Sequence, residues 1–288
     1  MRIALIADLH GNRPATEALA RDLAQQKADR ILCLGDVVGK GPSSDYTFDW
    51  AFANCELILG GNWDFGVGNQ SFEPDLFYWE QLGAKRLKKL RELPLEAELA
   101  LSGRRIRLLH GRPLMPDLIT VADLQSDIAP YFLDQQGAAY DAVIYADAHR
   151  QALRTVCNGL FVNTGSVGNA MGVPKCCYVL LEGEGEGDGG AEHRADGDDD
   201  DDDAAAAAAL AGAGAGAGGG DERRGDGAVA AALAGVGAGA EHRADAAGSA
   251  FELRFRQLDY DRQQAVQDAL AAPRVPRIET YIREVQTG

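Results

Sequence analysis

Apolar and polar positions run along this chain in two rhythms, and the changes of rhythm mark its elements. Residues 2–7 (RIALIA) make a short apolar run suited to a strand buried on both faces. Helical spacing follows over 14–25, with Pro14 at an early helical position. Residues 30–34 (RILCL) and 56–59 are two further predicted strands. A helix is predicted over 74–93, where Leu82, Leu87, Leu90 and Leu93 form an apolar stripe. Predicted strands then cluster at 97–101, 105–109, 142–145, 153–157 and 160–163. Strand–helix alternation early and strand clustering later predict an α/β domain whose sheets pack between helices.

Two last strands are predicted at 177–181 and at 251–258 (FELRFRQL), the second alternating apolar and polar. Between them both rhythms stop. Residues 184–250 hold 17 glycines, 23 alanines, no aromatic residue and six consecutive aspartates at 198–203. Such a stretch buries too little apolar surface to offset its ordering entropy, so it is expected to be a disordered insertion in a hairpin. Loop-closure entropy grows only logarithmically, which lets the flanking strands pair across it. Its hexapeptide AEHRAD occurs twice, at 191–196 and 240–245, as a local duplication. The expected organisation is a domain over 1–183, the acidic insertion over 184–250, and a C-terminal strand and helix of the same domain over 251–288.

Charge changes this picture only in its location. The net charge is −16, but the insertion, with 16 acidic residues against 4 arginines, carries −12 of it. Five basic residues of the 74–93 helix (Lys85, Arg86, Lys88, Lys89 and Arg91) read as a solvated face in an acidic domain. No stable nucleic-acid complex is expected. No apolar run nears 18 residues, so no membrane span is expected either. The start, MRIALIADLH, lacks a basic leader and has Asp8 where a secretory signal would still be apolar. With five cysteines in no C-x-x-C pattern, a cytoplasmic location with reduced thiols is expected.

Candidate chemistry follows the strands in series. The polar groups are Asp8-Leu9-His10 with Gly11-Asn12, Gly35-Asp36, Gly61-Asn62-Trp63-Asp64, His110-Gly111 and Asp147-Ala148-His149. Strand ends of an open α/β sheet converge on one crevice, so residues this far apart in sequence can meet. Three of the five histidines stand at these ends, and the other two, His193 and His242, lie in the insertion. A mixed imidazole and carboxylate set suits Mn²⁺, Fe²⁺ or Zn²⁺ better than Mg²⁺ or Ca²⁺.

In this order the motifs resemble the calcineurin-like metallophosphoesterase superfamily, in its small bacterial and archaeal phosphodiesterase branch. The family pattern DxH, GDxxxxGP, GN(H/C)D, HG, GHTH and NPGSVG is matched here by Asp8-Leu9-His10, GDVVGKGP at 35–42, GNWD at 61–64, HGRP from His110, ADAH at 146–149 and NTGSVGNAMG from Asn163. The resemblance covers about 1–183 and resumes over 251–271. It implies a four-layer α/β/β/α sandwich, with the insertion in a late hairpin, and a metal-dependent phosphoric ester hydrolase.

The resemblance also implies a site with two divalent transition-metal ions, Mn²⁺ first, with Fe²⁺, Zn²⁺ or Ni²⁺ as other candidates. Asp8, His10, Asp36 and His149 would hold one ion, and Asp36 would bridge to a second bound by Asn62 and His110. Asp147 stands where the family has a histidine, and it is open whether it binds directly, through water or not at all. The implied reaction is in-line attack on phosphorus by a metal-bridging hydroxide, with catalytic roles for Asp36, Asn62 and Asp64, the last orienting a ligand histidine. Trp63 replaces the proton-donating histidine of some members. An indole cannot donate a proton at neutral pH, and general acid catalysis is typically worth roughly 10²–10⁴-fold, so good leaving groups are expected. Trp63 could stack on a base or aryl ring, and Asn12, Arg13 and Arg112 are further candidate substrate contacts. The expected substrate is a small phosphoester or nucleotide, most simply a phosphodiester. Alternatives are a dinucleoside tetraphosphate hydrolase, a protein phosphatase, or a catalytically degenerate nucleotide- or metal-binding member. A homo-oligomer is left open.

Overall fold

No side chain from Ile3 to Ile6 in strand β1 (Arg2–Ile6) reaches solvent, which is why this strand reads as a continuous apolar run. Ala4 and Ile6 face a helical layer, whereas Ile3, Leu5 and Ala7 face a second sheet. The computed structural model describes residues 1–72, 75–184 and 251–288. The expected helix start at Pro74 and residues 185–250, with the repeated hexapeptide, lie outside the described residues.

The first sheet has the order β10-β9-β1-β2-β3. Strands β2 (Arg30–Cys33) and β3 (Leu57–Ile58) extend β1 in parallel. On its other side β9 (Cys176–Glu182) is antiparallel to β1, and β10 (Glu252–Leu258) pairs antiparallel with β9, Glu252 opposite Glu182. The second sheet has the order β4-β5-β6-β8-β7. Its strands are β4 (Glu96–Leu101), β5 (Arg104–Leu109), β6 (Ala142–Tyr145), β7 (Ala152–Val156) and β8 (Gly159–Asn163), with β5, β6 and β8 parallel.

The two sheets meet through one apolar layer of Leu5, Leu32, Leu108, Ile144, Val162 and Val179 and their neighbours. Helices α1 (Arg13–Gln26), α2 (Ser44–Asn54), α3 (Asn62–Gly68) and α4 (Leu76–Arg91) cover the outer face of the first sheet. On the outer face of the second, Val143, Tyr145 and Phe161 are covered by Met115, by Ile128 of α5 (Gln125–Ile128) and by Phe132 of a short 3₁₀ turn. The expected α/β/β/α layering is present, with a thin fourth layer. Helices α6 (Arg262–Leu270) and α7 (Ile278–Thr287) pack on each other through Ala265, Ala269, Tyr281 and Val285.

Some expectations need correcting. The chain after Asp36 contains two helices, α2 and α3, that the apolar pattern did not predict. The expected 74–93 helix is broken at Gly83, whose φ of 67° and ψ of 171° are not helical. Glu184 belongs to the framework rather than to the insertion. Its N–H donates to Ser102 Oγ and its carbonyl accepts from Ser102 N, which ties it to the β4–β5 turn. The basic face of α4 is engaged locally: Arg86 pairs with Asp49, and Arg91 donates to the Gly68 carbonyl. Among the described residues, no helix is long and apolar enough to cross a membrane.

Candidate metal centre

Parallel strands share an edge, and here two sets of them deliver their C-terminal ends to one place. Asp8 and His10 follow β1, Asp36 follows β2, Asn62 opens α3 after β3, His110 follows β5, and Asp147 and His149 follow β6. Backbone bonds stitch the turns together: Asp8 N donates to Gly35 O at 2.9 Å and His10 N to Asp36 O at 3.2 Å. The second sheet is tied in by His110 Nδ1, which donates to Leu34 O at 2.8 Å.

The backbone is bent sharply to aim these groups. Asp8, His10, Asp36, Asp147 and His149 all adopt left-handed φ, between 48° and 64°, which costs roughly 1–3 kcal/mol for each such residue. At Gly61 no side chain fits at all, because a Cβ there would collide with Asp36 Oδ1.

All three histidines are oriented alike. His10 Nδ1 faces Val38 O at 3.1 Å, and His149 Nδ1 faces Asn169 O at 2.7 Å, as His110 Nδ1 faces Leu34 O. A carbonyl only accepts, so Nδ1 carries the proton and Nε2 presents a lone pair inward. His10 Nε2 and His149 Nε2 then lie 3.3 Å apart with no proton between them. Asp8 Oδ1 is 3.3 Å from His149 Nε2 and 3.6 Å from His10 Nε2, and Asp36 Oδ2 is 3.6 Å from His10 Nε2 and 3.3 Å from His110 Nε2. Acceptors crowded in this way suit a cation.

Two groups of ligand atoms here are tight enough to hold a metal ion: Asp8, His10 and His149, and Asp8, Asp36 and His110, all buried. Both carboxylate oxygens of Asp8, Asn62 Oδ1 and His110 Nε2 are buried without a hydrogen-bond partner. Orphaned buried acceptors of this kind are rare and costly, and a bound divalent ion would satisfy them. Electrostatics agree at Asp8, His10 and His149 but not at His110. Burial pushes the Asp8 carboxyl well above its usual range. Burial also lowers His10 and His149, reinforced by the Lys40 ammonium. Burial would lower His110 too, but the Asp36 carboxylate beside it raises it to about 10.

The sequence pattern described as the calcineurin-like phosphoesterase superfamily domain matches residues 1–186. The chain belongs to this superfamily. An uncharacterized protein of Methanocaldococcus jannaschii is 27% identical over 212 residues, 62% of this chain and 82% of the relative. A metallophosphoesterase of Sphaerobacter thermophilus superposes with a TM-score of 0.60 at 17% identity, over 100% of this chain and 98% of that one. A hypothetical protein of Pyrococcus horikoshii gives 0.63 at 15% identity, over 99% and 97%. At these identities the two structures establish the shared fold. As a member of this superfamily the chain is a phosphoric ester hydrolase, the family depends on divalent metals, and small phosphoesters are its substrate class.

Around the cluster the phosphoesterase departs from several expectations. Asp147 is engaged by Arg112, whose Nε and Nη2 donate to its two oxygens at 2.8 and 2.7 Å, while Arg112 N adds a third bond at 3.0 Å. Burial alone would raise Asp147, yet these bonds hold it below the usual carboxylate range. The pairing occupies both the candidate ligand and the candidate phosphate contact. Asp64 does not orient a histidine. Its carboxylate accepts from the N–H groups of Asp36, Val37 and Gly61, which shapes the turn that carries Asp36. Burial, then Asp36, pushes it up to about 7.

Asn12 is fully buried, caps α1 by accepting from Ala15 N, and donates to Gly168 O, which commits its side-chain amide to the framework. Arg13 pairs with Glu17 and lies over the Tyr46 ring. Trp63 packs edge-on against His10, Phe72 and Tyr78, and its backbone N–H donates to Asp36 Oδ1 at 2.8 Å. Its ring thus packs against one candidate ligand and its backbone holds another. Sequence reasoning missed Lys40, within the GDVVGKGP segment, whose left-handed φ of 56° was the available signal once the backbone was known.

Proposed function

We propose that this phosphoesterase is a phosphodiesterase working with two divalent transition-metal ions, Mn²⁺ first. The observation that carries the reading is the pair of overlapping ligand groups sharing Asp8, together with the unpartnered atoms of Asp8, Asn62 and His110. Asp8, His10, Asp36 and His149 would hold one ion, and Asp36, Asn62 and His110 the other. When bound, such ions supply an activated water and a Lewis-acid clamp on the phosphoryl oxygens.

The chain's own residues prepare that chemistry. The carbonyls of Val38, Leu34 and Asn169 fix the three histidines in the tautomer that ligates. Asp64 fixes the turn of Asp36 through three backbone bonds. Trp63 offers an indole edge beside His10 and no proton for a leaving alkoxide, which supports substrates with good leaving groups. The Arg112–Asp147 pair takes Asp147 out of the ligand set.

The test is metal analysis of the purified chain beside hydrolysis of a bis-aryl phosphodiester and the corresponding monoester with added Mn²⁺. Two ions per chain with Mn²⁺-dependent, diester-preferring turnover is the expected result. Metal binding without hydrolysis of either ester would mean a catalytically degenerate member instead.

A further inference from the structure

Lys40 lies in the GDVVGKGP segment but has been given no role so far, yet it is bonded to Asn169, the residue whose carbonyl orients His149. Its charge acts on Asp8, Asp36 and Asp147, and it lies on the loop directly after Asp36. Its Nζ donates to Asn169 Oδ1 at 2.9 Å. The other end of that amide, Asn169 Nδ2, donates to Glu284 Oε2 at 3.0 Å, so the C-terminal helix α7 reaches the same network. Asn169 is itself buried and fixed, because its carbonyl accepts from His149 and its N–H donates to Ser166 Oγ. An ammonium group threaded this way is neither a surface charge nor a closed ion pair. Lys40 retains partial exposure and two further donor hydrogens.

We propose that Lys40 is the substrate-phosphate contact of this site, held beside the ligand cluster through Asn169, which is itself bonded to His149 and Glu284. The inference rests on the phosphodiesterase reading and adds a residue to it. The arginines first considered for phosphate are engaged elsewhere, Arg112 by Asp147 and Arg13 by Glu17. Lys40 therefore supplies the positive charge for a non-bridging phosphoryl oxygen, and Glu284 is a positioning residue that acts through it. Helix α7 becomes part of the active site although the family motifs end before it.

The experiment compares the parent with Lys40→Met, Lys40→Arg, Glu284→Gln and the double variant Lys40→Met/Glu284→Gln, all loaded with Mn²⁺. Three quantities are read: metal per chain, kcat and KM for a bis-aryl phosphodiester, and the affinity for inorganic phosphate by calorimetry. Lys40→Met should lose roughly 10- to 100-fold in kcat/KM and in phosphate affinity, with metal content unchanged. Lys40→Arg should recover part of both. Glu284→Gln should lose roughly 3- to 10-fold alone and little more on top of Lys40→Met, because coupled residues are not additive. Parent-like phosphate affinity in Lys40→Met would overturn the proposal, as would a loss that merely follows loss of metal. If Lys40→Met does not fold, parent-like phosphate affinity in both Lys40→Arg and Glu284→Gln overturns it. A parent that binds phosphate through Lys40 but hydrolyses no ester would instead count against the phosphodiesterase reading alone.

Discussion

The layer between the two sheets and the crevice at their shared edge are built from the same strands by opposite rules. Between the sheets, Leu5, Leu108, Ile144 and Val162 are buried with apolar neighbours on every side and regular extended backbone beneath them. Two to four residues beyond strand ends of the same sheets, Asp8, His10, Asp36 and His149 are just as buried but are ionisable and left-handed in backbone, and both oxygens of Asp8 lack a partner. The first region lowers the free energy of the fold. The second raises it, and persists because the first over-determines the positions of the turns. Left-handed turns and orphaned buried acceptors brought together with histidines and carboxylates at one sheet edge point to a cation site.

That contrast can be broken from either side. The largest expected effect is at the crevice: Asp36→Asn should cost at least roughly 10³-fold in diester hydrolysis while the chain stays folded, since its oxygen faces two histidines. Parent-rate turnover by that variant would remove the metal reading. In the core the outcome should invert. Ile144→Ala should cost ~2–5 kcal/mol of stability in denaturant unfolding, with activity per folded molecule retained. A loss of activity without loss of stability there would mean the two regions are not separable.

The smallest effect concerns the long insertion. Excising 185–250 and joining Glu184 to Phe251 through a short turn should leave metal content and turnover unchanged. Stability should hold or rise by up to about 2 kcal/mol, from the shorter loop closure. The reason is that β9 and β10 already pair along their whole length, Cys176 opposite Leu258 and Glu182 opposite Glu252. Keeping Glu184 matters because of its bonds to Ser102. Loss of metal or of folding on excision would place residues of 185–250 in the functional unit.

Strands and their trailing ligands were readable in the sequence because a strand buried on both faces is a local apolar run and the ligands follow it within four residues. Helix α2 was not readable. Its buried face is Ser44, Thr47, Phe48 and Ala51, where Ser44 and Thr47 are polar and satisfied by bonds to Gly39 N and Val37 O that only the fold creates. The apolar stripe of Leu82, Leu87 and Leu90 runs across Gly83 and gives no sign of the break there. Within the site, the residues that ligate are typed by chemistry, but roles that depend on a partner are not. Asp147 meets Arg112 across 35 positions, Asp64 meets Asp36 and Val37 across 28 and 27, and Lys40 meets Asn169 across 129. Asp147 and Asp64 each had a plausible task read alone, Lys40 had none, and in each case the tertiary neighbour decides the role.

The central claim is that the strand-end crevice holds two ions and that Asp147 is not among their ligands. Anomalous diffraction at the manganese edge, on crystals of the Mn²⁺-loaded chain, tests it most directly. The account predicts two peaks, one against Asp8, His10 and His149 and one against Asp36, Asn62 and His110, with Arg112 still paired to Asp147. A single peak, or a peak ligated by Asp147 after it has left Arg112, would contradict it.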